Sequence, residues 1–160
     1  MQIKNKIIIF FLLYFFTLGL NAEEFDISAT EITFDKSNNI VMGKGSVKIV
    51  DQEGKIFKSD YVIYDKSKEF LTIEGSVEVF DIEGNILKTN KATYDKKNEL
   101  INTFDDSELT ITEGYKLKSK NIVYNINERI LSSDQYSIFN DEDGNQIAVS
   151  MFRYYLDKKL

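Results

Sequence analysis

The chain has 160 residues, 42% of them hydrophobic and 29% charged, and it contains no His, Cys, Pro or Trp. One domain with a packed core is implied, while disulfides, thiolate nucleophiles and imidazole or sulfur metal ligands are excluded. With 26 acidic against 20 basic residues, the surface lacks the basic footprint that nucleic-acid binding requires.

The first segment reads as an export signal rather than as part of the fold. Lys4 and Lys6 precede the apolar run IIIFFLLYFFTLGL, and Ala22 closes it. A basic start, a short apolar stretch and a small terminal residue describe a signal-peptide helix over residues 1–22. A membrane span would need about 20 apolar residues. An uncleaved anchor is the alternative, because Leu20 stands where a small residue is preferred. No Cys follows Ala22, so a lipoprotein anchor is excluded. Cleavage would leave 18 basic and 26 acidic residues, a net charge of −8.

From residue 23 to 160 the chain repeats. An aromatic residue recurs every thirty positions, at Phe34, Tyr64, Tyr94, Tyr124 and Tyr154, and glycines recur at Gly54, Gly84, Gly114 and Gly144. Gly45 and Gly75 are each followed by Ser-Val. Each unit predicts two strands and two turns. One turn is of the type DKSKE. The other is of the type DIEG, whose glycine supplies a positive φ.

The outgoing strand of each unit alternates. Leu71, Ile73, Val77 and Val79 share one face, and Val41, Val47, Ile49, Ile101, Leu109 and Ile111 fall on the same phase. The return strand KIFKSDYVIYD changes phase between Phe57 and Val62. Either a bulge near Ser59–Asp60 or cover on both faces accounts for this. The turns are too short for crossover helices, so neighbours are antiparallel and form a meander of about nine strands. A propeller is disfavoured, since a blade needs about 40–45 residues. The predicted class is all-β, an antiparallel repeat meander stacked as a V-shaped or jelly-roll-like layer.

Catalytic chemistry finds little support. The carboxylate pairs Asp105–Asp106 and Asp141–Asp143 read as turn caps rather than as an acid/base pair. DEDGN reads as a turn rather than a calcium loop, because the downstream Glu of that motif is missing. Lys116, Lys118 and Lys120 share one strand face. A solvated face accounts for them better than contacts to an anionic lipid. The aromatic column reads as core, each ring buried and each tyrosine hydroxyl wet.

The stretch ATEITFDKSNNIVMGKGSVKIVDQEGKIFKSDYVIYDKSKEFLTIEGSVEVFDIEGNILKTNKATYD resembles the OstA-like repeat of the lipopolysaccharide-transport bridge. Ala29, Phe34–Asp35, Gly45–Ser46–Val47, Gly54, Ser59–Asp60, Tyr64–Asp65, Gly75–Ser76–Val77, Gly84 and Tyr94–Asp95 carry the likeness. Ser46 and Ser76 replace the usual Asn, and the pattern fades beyond Tyr94. The resemblance implies an open β-jelly roll, or β-taco, in the periplasm of a Gram-negative bacterium, associated with outer-membrane assembly. It implies a non-catalytic module without cofactor or metal that sheaths the acyl chains of lipopolysaccharide. Such domains occur in a soluble bridge protein, in an inner-membrane-anchored component and at the N-terminus of an outer-membrane translocon. The repeats reach Leu160, which suggests a chain truncated at its C-terminus.

Two sets of site residues follow. Val41, Val47, Ile49, Leu71, Ile73, Val77, Val79, Leu109 and Ile111 are expected to line an apolar trough for lipid. FDISATEITF alternates with Ile27, Ala29 and Glu31 on one side, and is expected to be an edge strand that docks onto another OstA-like domain. The rival readings are a structural β-repeat protein of the cell envelope with a filled core, and a periplasmic enzyme.

Overall fold

The computed structural model describes residues 24–112 and 114–156, and the expected signal peptide lies outside them. The described residues form fourteen strands: β1 (Phe25–Ser28), β2 (Glu31–Asp35), β3 (Ile40–Asp51), β4 (Ile56–Asp65), β5 (Phe70–Phe80), β6 (Ile86–Asp95), β7 (Leu100–Phe104), β8 (Asp106–Thr110), β9 (Lys116–Lys120), β10 (Val123–Asn125), β11 (Ile130–Ser133), β12 (Ser137–Asn140), β13 (Gln146–Val149) and β14 (Phe152–Tyr155). They form one antiparallel sheet. The count exceeds the expected nine because five of the expected long strands break in the middle, the last of them at Ser150–Met151. The other four breaks fall at Ala29–Thr30, Asp105, Asn121–Ile122 and Asp134–Tyr136.

Both turn types close on side chains placed by the repeat. Asp65 Oδ1 accepts the backbone N–H groups of Ser67 and Lys68, each at 3.1 Å. Asp95 and Asn125 cap their turns in the same way, at Asn98 and Glu128. In the glycine turns Asp51 Oδ1 accepts from the N–H of Glu53 and of Lys55, and Asp81 and Asp141 repeat the arrangement. A short oxygen acceptor at the turn start satisfies donors that the ladder cannot reach. DEDGN is therefore a turn of the common type.

The sheet is folded back on itself. A straight ten-residue strand would hold its end turns about 33 Å apart. Instead the glycine turns touch the aspartate turns: Lys96 Nζ lies 2.8 Å from Glu53 Oε1. The stack therefore has two arms. One ends in the aspartate turns and the other in the glycine turns, and each long strand runs from one arm into the other.

The fold line follows from the sequence. On β5 the buried residues Ile73 and Val77 are four positions apart, whereas on β4 Ser59 and Val62 are three apart. The surplus residue sits at Gly75–Ser76, where the register shifts and φ is +79° and +48°. Gly45–Ser46 does the same on β3. The face change expected at Ser59–Asp60 is present, but the bulged residue lies on the neighbouring outgoing strand.

A buried hydroxyl spine runs along this line. Ser59, Thr89, Thr103, Ser107, Ser119, Ser133 and Ser137 are all buried. Ser107 Oγ lies 2.8 Å from Thr103 Oγ1 and 3.1 Å from Thr89 Oγ1, and Ser119 Oγ lies 2.7 Å from Ser137 Oγ. The hydroxyls also donate to carbonyls near the bend, including Ser59 to Tyr61, Ser133 to Lys120 and Ser137 to Gln135. Where the ladder is interrupted, side chains supply the partners that buried carbonyls need.

Candidate functional site

The inner faces of the two arms are aliphatic. All nine residues expected to line the trough are buried, at 0–5% exposure, in one apolar cluster. Val41, Leu71 and Ile73 belong to the first arm, and Val47, Ile49, Val77, Val79, Leu109 and Ile111 to the second. Several of their outward neighbours are charged. Lys88–Glu78 at 2.8 Å, Lys118–Glu108 at 3.4 Å and Lys120–Asp106 at 3.6 Å pair across the outer face. Lys118 and Lys120 are thus part of a self-neutralising, solvated face.

The arms pack on each other. Phe57 of the second arm stacks on Tyr94 of the first, with centroids 5.1 Å apart. Phe25 meets the edge of Tyr64 at 4.9 Å. The interior is therefore filled at this end by aromatic rings. Farther along, a cavity of about 90 Å³ remains between the arms, lined by Val79, Leu87, Ile101, Leu109, Tyr124 and Leu131. An apolar cavity of about 150 Å³ accommodates benzene, so this smaller space holds only a short piece of an acyl chain unless the arms part.

The aromatic column is only partly core. Tyr64, Tyr94 and Tyr124 are buried, whereas Phe34 is 63% exposed because no strand among the described residues lies beyond β2 to cover it. The Tyr94 hydroxyl is not wet. It donates to Glu99 Oε2 at 2.8 Å and lies 3.4 Å from Asp51 Oδ2. Burial, then the Glu99 contact, pushes its pKa far above the ordinary phenol range.

Sequence reasoning missed what closes the mouth between the two rows of turns. Lys55 Nζ lies 2.9 Å from Asp51 Oδ2 and 3.3 Å from Glu99 Oε2, and also contacts Glu53. Lys96 joins Glu53 to Glu99. Burial alone would lower the pKa of both lysines, but hydrogen bonds led by Glu53 outweigh it and raise them. The hydrogen bonds from Lys55 and Lys96 draw Glu53 down to about 2. One repeat farther on, Arg129 Nη1 and Nη2 meet Glu83 Oε1 and Oε2 at 2.6 and 2.8 Å. Glu53 and Glu83 stand thirty residues apart, which was visible. Their partners Lys96 and Arg129 follow at separations of 43 and 46, which no single period reveals.

The edges differ from expectation in one respect. Among the described residues β1 and β2 pair with β3 alone, which leaves the N-terminal edge open, as is the far edge at β13 and β14. FDISATEITF is not one clean strand. Ile27 faces Ile49 and Ile32 faces Gly43, so the inner face changes phase at Ala29–Thr30. Ile27 and Ala29 pack against the core, but Glu31 is exposed and leaves that side. The surplus residue at Gly45–Ser46 of β3 causes the switch.

No family model and no curated protein matches this chain. Among solved structures it is similar to LptH from Pseudomonas aeruginosa, described as the LptA-homologous periplasmic component of the conserved lipopolysaccharide transport device. The TM-score is 0.62 at 15% identity, over 78% of this chain and 93% of that one. At this identity the likeness establishes an LptA-like β-jelly-roll fold.

Proposed function

We propose that the chain is a periplasmic bridge module that carries lipopolysaccharide by sheathing its acyl chains between the two arms. The observation that carries this reading is the inner face: aliphatic surfaces on both arms, parted by the hydroxyl spine at the bend and joined by aromatic rings at one end, with its charges confined to the mouth and the outside. The LptH-like fold supports it. Burying a dozen methylenes contributes on the order of 10 kcal/mol. A lining of near-uniform aliphatic residues lets a chain slide, because each lost contact is replaced by a similar one. Catalysis has no part in this. The open edges at β1–β2 and β13–β14 offer unpaired backbone groups, so domains of the same fold would join there and continue the interior. Ile32 and Phe34, exposed on the inner face of β2, would be covered by such a neighbour.

The tight packing of the arms favours a second reading, a structural repeat with a permanently filled core. A photo-crosslinker separates the two. Placed at Val77, which is 1% exposed, it should capture lipopolysaccharide in intact cells, whereas at outward Glu78 it should not. A filled core gives no adduct at Val77, and equal labelling at both positions overturns the assignment of faces.

A further inference from the structure

Two closures hold the mouth, and they are unequal. At one end Asp51, Lys55, Tyr94, Lys96 and Glu99 form a cluster in which Asp51 and Lys55 are buried at 5% and 4% exposure. The stacked Phe57 and Tyr94 rings lie beneath it. Parting the arms here would strand buried charges, which is strongly unfavourable. One repeat farther on Glu83 and Arg129, with side chains 41% and 33% exposed, meet over the cavity, which Glu53 and Lys55 border from the first closure. Both line that cavity, as does Ile82, an apolar side chain 72% exposed at the tip of the same turn. Water can solvate both partners as this pair separates, so breaking it costs little. The mouth is therefore clamped at the first closure and lightly fastened at the second.

Resting on the lipid-carrying reading, we propose that the seam between the Asp81–Asn85 turn and the Asn125–Arg129 turn is a lateral gate through which an acyl chain passes sideways into the interior, with Glu83–Arg129 as its latch and Ile82 as the first apolar contact. The Asp51–Glu99 cluster is the fixed end about which the arms part. The acyl chain enters sideways at the seam and need not thread the stack from an open edge.

The test follows uptake of N-phenylnaphthylamine, an uncharged apolar dye, and of purified lipopolysaccharide by the purified chain. Removing the latch in Glu83→Gln/Arg129→Gln should speed dye uptake roughly two- to fivefold, the upper part of the range spanned by a partly exposed ion pair. The reversed pair Glu83→Arg/Arg129→Glu should restore the parent rate, which distinguishes a lost latch from a damaged fold. The chain has no Cys, so Glu83→Cys/Arg129→Cys accepts a cleavable bismaleimide tether at these sites alone. Tethering should stop uptake of both probes, and cleaving the tether should restore it. Undiminished uptake by the tethered protein overturns the gate while leaving lipid carriage intact. Gated uptake of the dye without any uptake of lipopolysaccharide supports the gate and overturns the lipopolysaccharide reading. No uptake of either probe by any variant overturns the gate.

Discussion

At Gly75 the backbone has φ +79°, and a Cβ there would lie 2.5 Å from Asp60 Oδ2 and 2.8 Å from Asp60 Cβ. The residue sits at the bend, against the return strand. Gly75→Ala therefore combines a left-handed backbone with a clash, and should lower stability by about 2 kcal/mol. Gly144 has a similar φ of +85° but nothing within 4 Å, so Gly144→Ala should cost only about 1 kcal/mol. Urea midpoints compared across the parent and both variants check the difference; equal losses would show that backbone conformation alone matters at Gly75. Residue type predicted part of this. The Gly-Ser pair was legible as a repeated signal, but its role as the surplus residue of a bulge was not, because a count of residues between buried positions needs both partner strands. Phe34 shows the same limit. It occupies the lattice position of Tyr64 and Tyr94, yet it is exposed, because burial depends on having a neighbour and not on sequence phase.

Strands and their connections were the most legible level. Alternation located the inner residues of β3 and β5, and the turn signals located both rows of turns, because period-two burial and left-handed turn positions are local properties of the chain. The hydroxyl spine was not recognised, although Ser59, Thr89 and Ser119 lie thirty apart. Small polar residues in strands read as solvent-facing. Here they turn inward at a bend, where ladder bonds fail. Thr103 illustrates the energetics: its Oγ1 accepts the Ile122 N–H at 2.9 Å and the Ser107 hydroxyl at 2.8 Å. Thr103→Val keeps the shape and leaves a buried N–H without that partner, so a loss of about 1–3 kcal/mol is expected. Thr72→Val, on the outer face of β5, should change stability by less than about 0.5 kcal/mol. Calorimetric melting of the two variants measures the contrast, and similar melting points would deny the spine its structural role.

In the whole molecule the arms are joined by aliphatic packing inside and by ion pairs at the mouth, and the pairs make stability depend on acid and salt. Glu53 titrates at about 2 in the folded chain, below its ordinary 4.5. A folded-state pKa that is depressed means stabilisation present in full above the unfolded value and lost as pH falls from about 4.5 toward about 2. Glu83, lowered by its hydrogen bond to Arg129, acts in the same direction. Because the Glu53 side chain is 53% exposed, salt should weaken the effect. Urea midpoints at pH 6, 4 and 3 in low and high salt should fall with acid, less steeply in high salt and less steeply in Glu53→Gln. A Glu53→Gln variant with the parent's acid profile would remove the mouth cluster from the account.

The thirty-residue period also makes the molecule a ruler. Each period adds one outgoing and one return strand, and strands stack about 4.8 Å apart, so the interior grows in steps of just under 10 Å. Each period ends on the same Tyr-Asp or Tyr-Asn corner where it began, at Tyr64–Asp65, Tyr94–Asp95 and Tyr124–Asn125. Whole periods can then be gained or lost by duplication or deletion without moving a side chain from the inner to the outer face, whereas an odd-numbered insertion within a strand inverts every residue beyond it. The length of the interior is thus quantised, and it is written into the gene as a number of repeats.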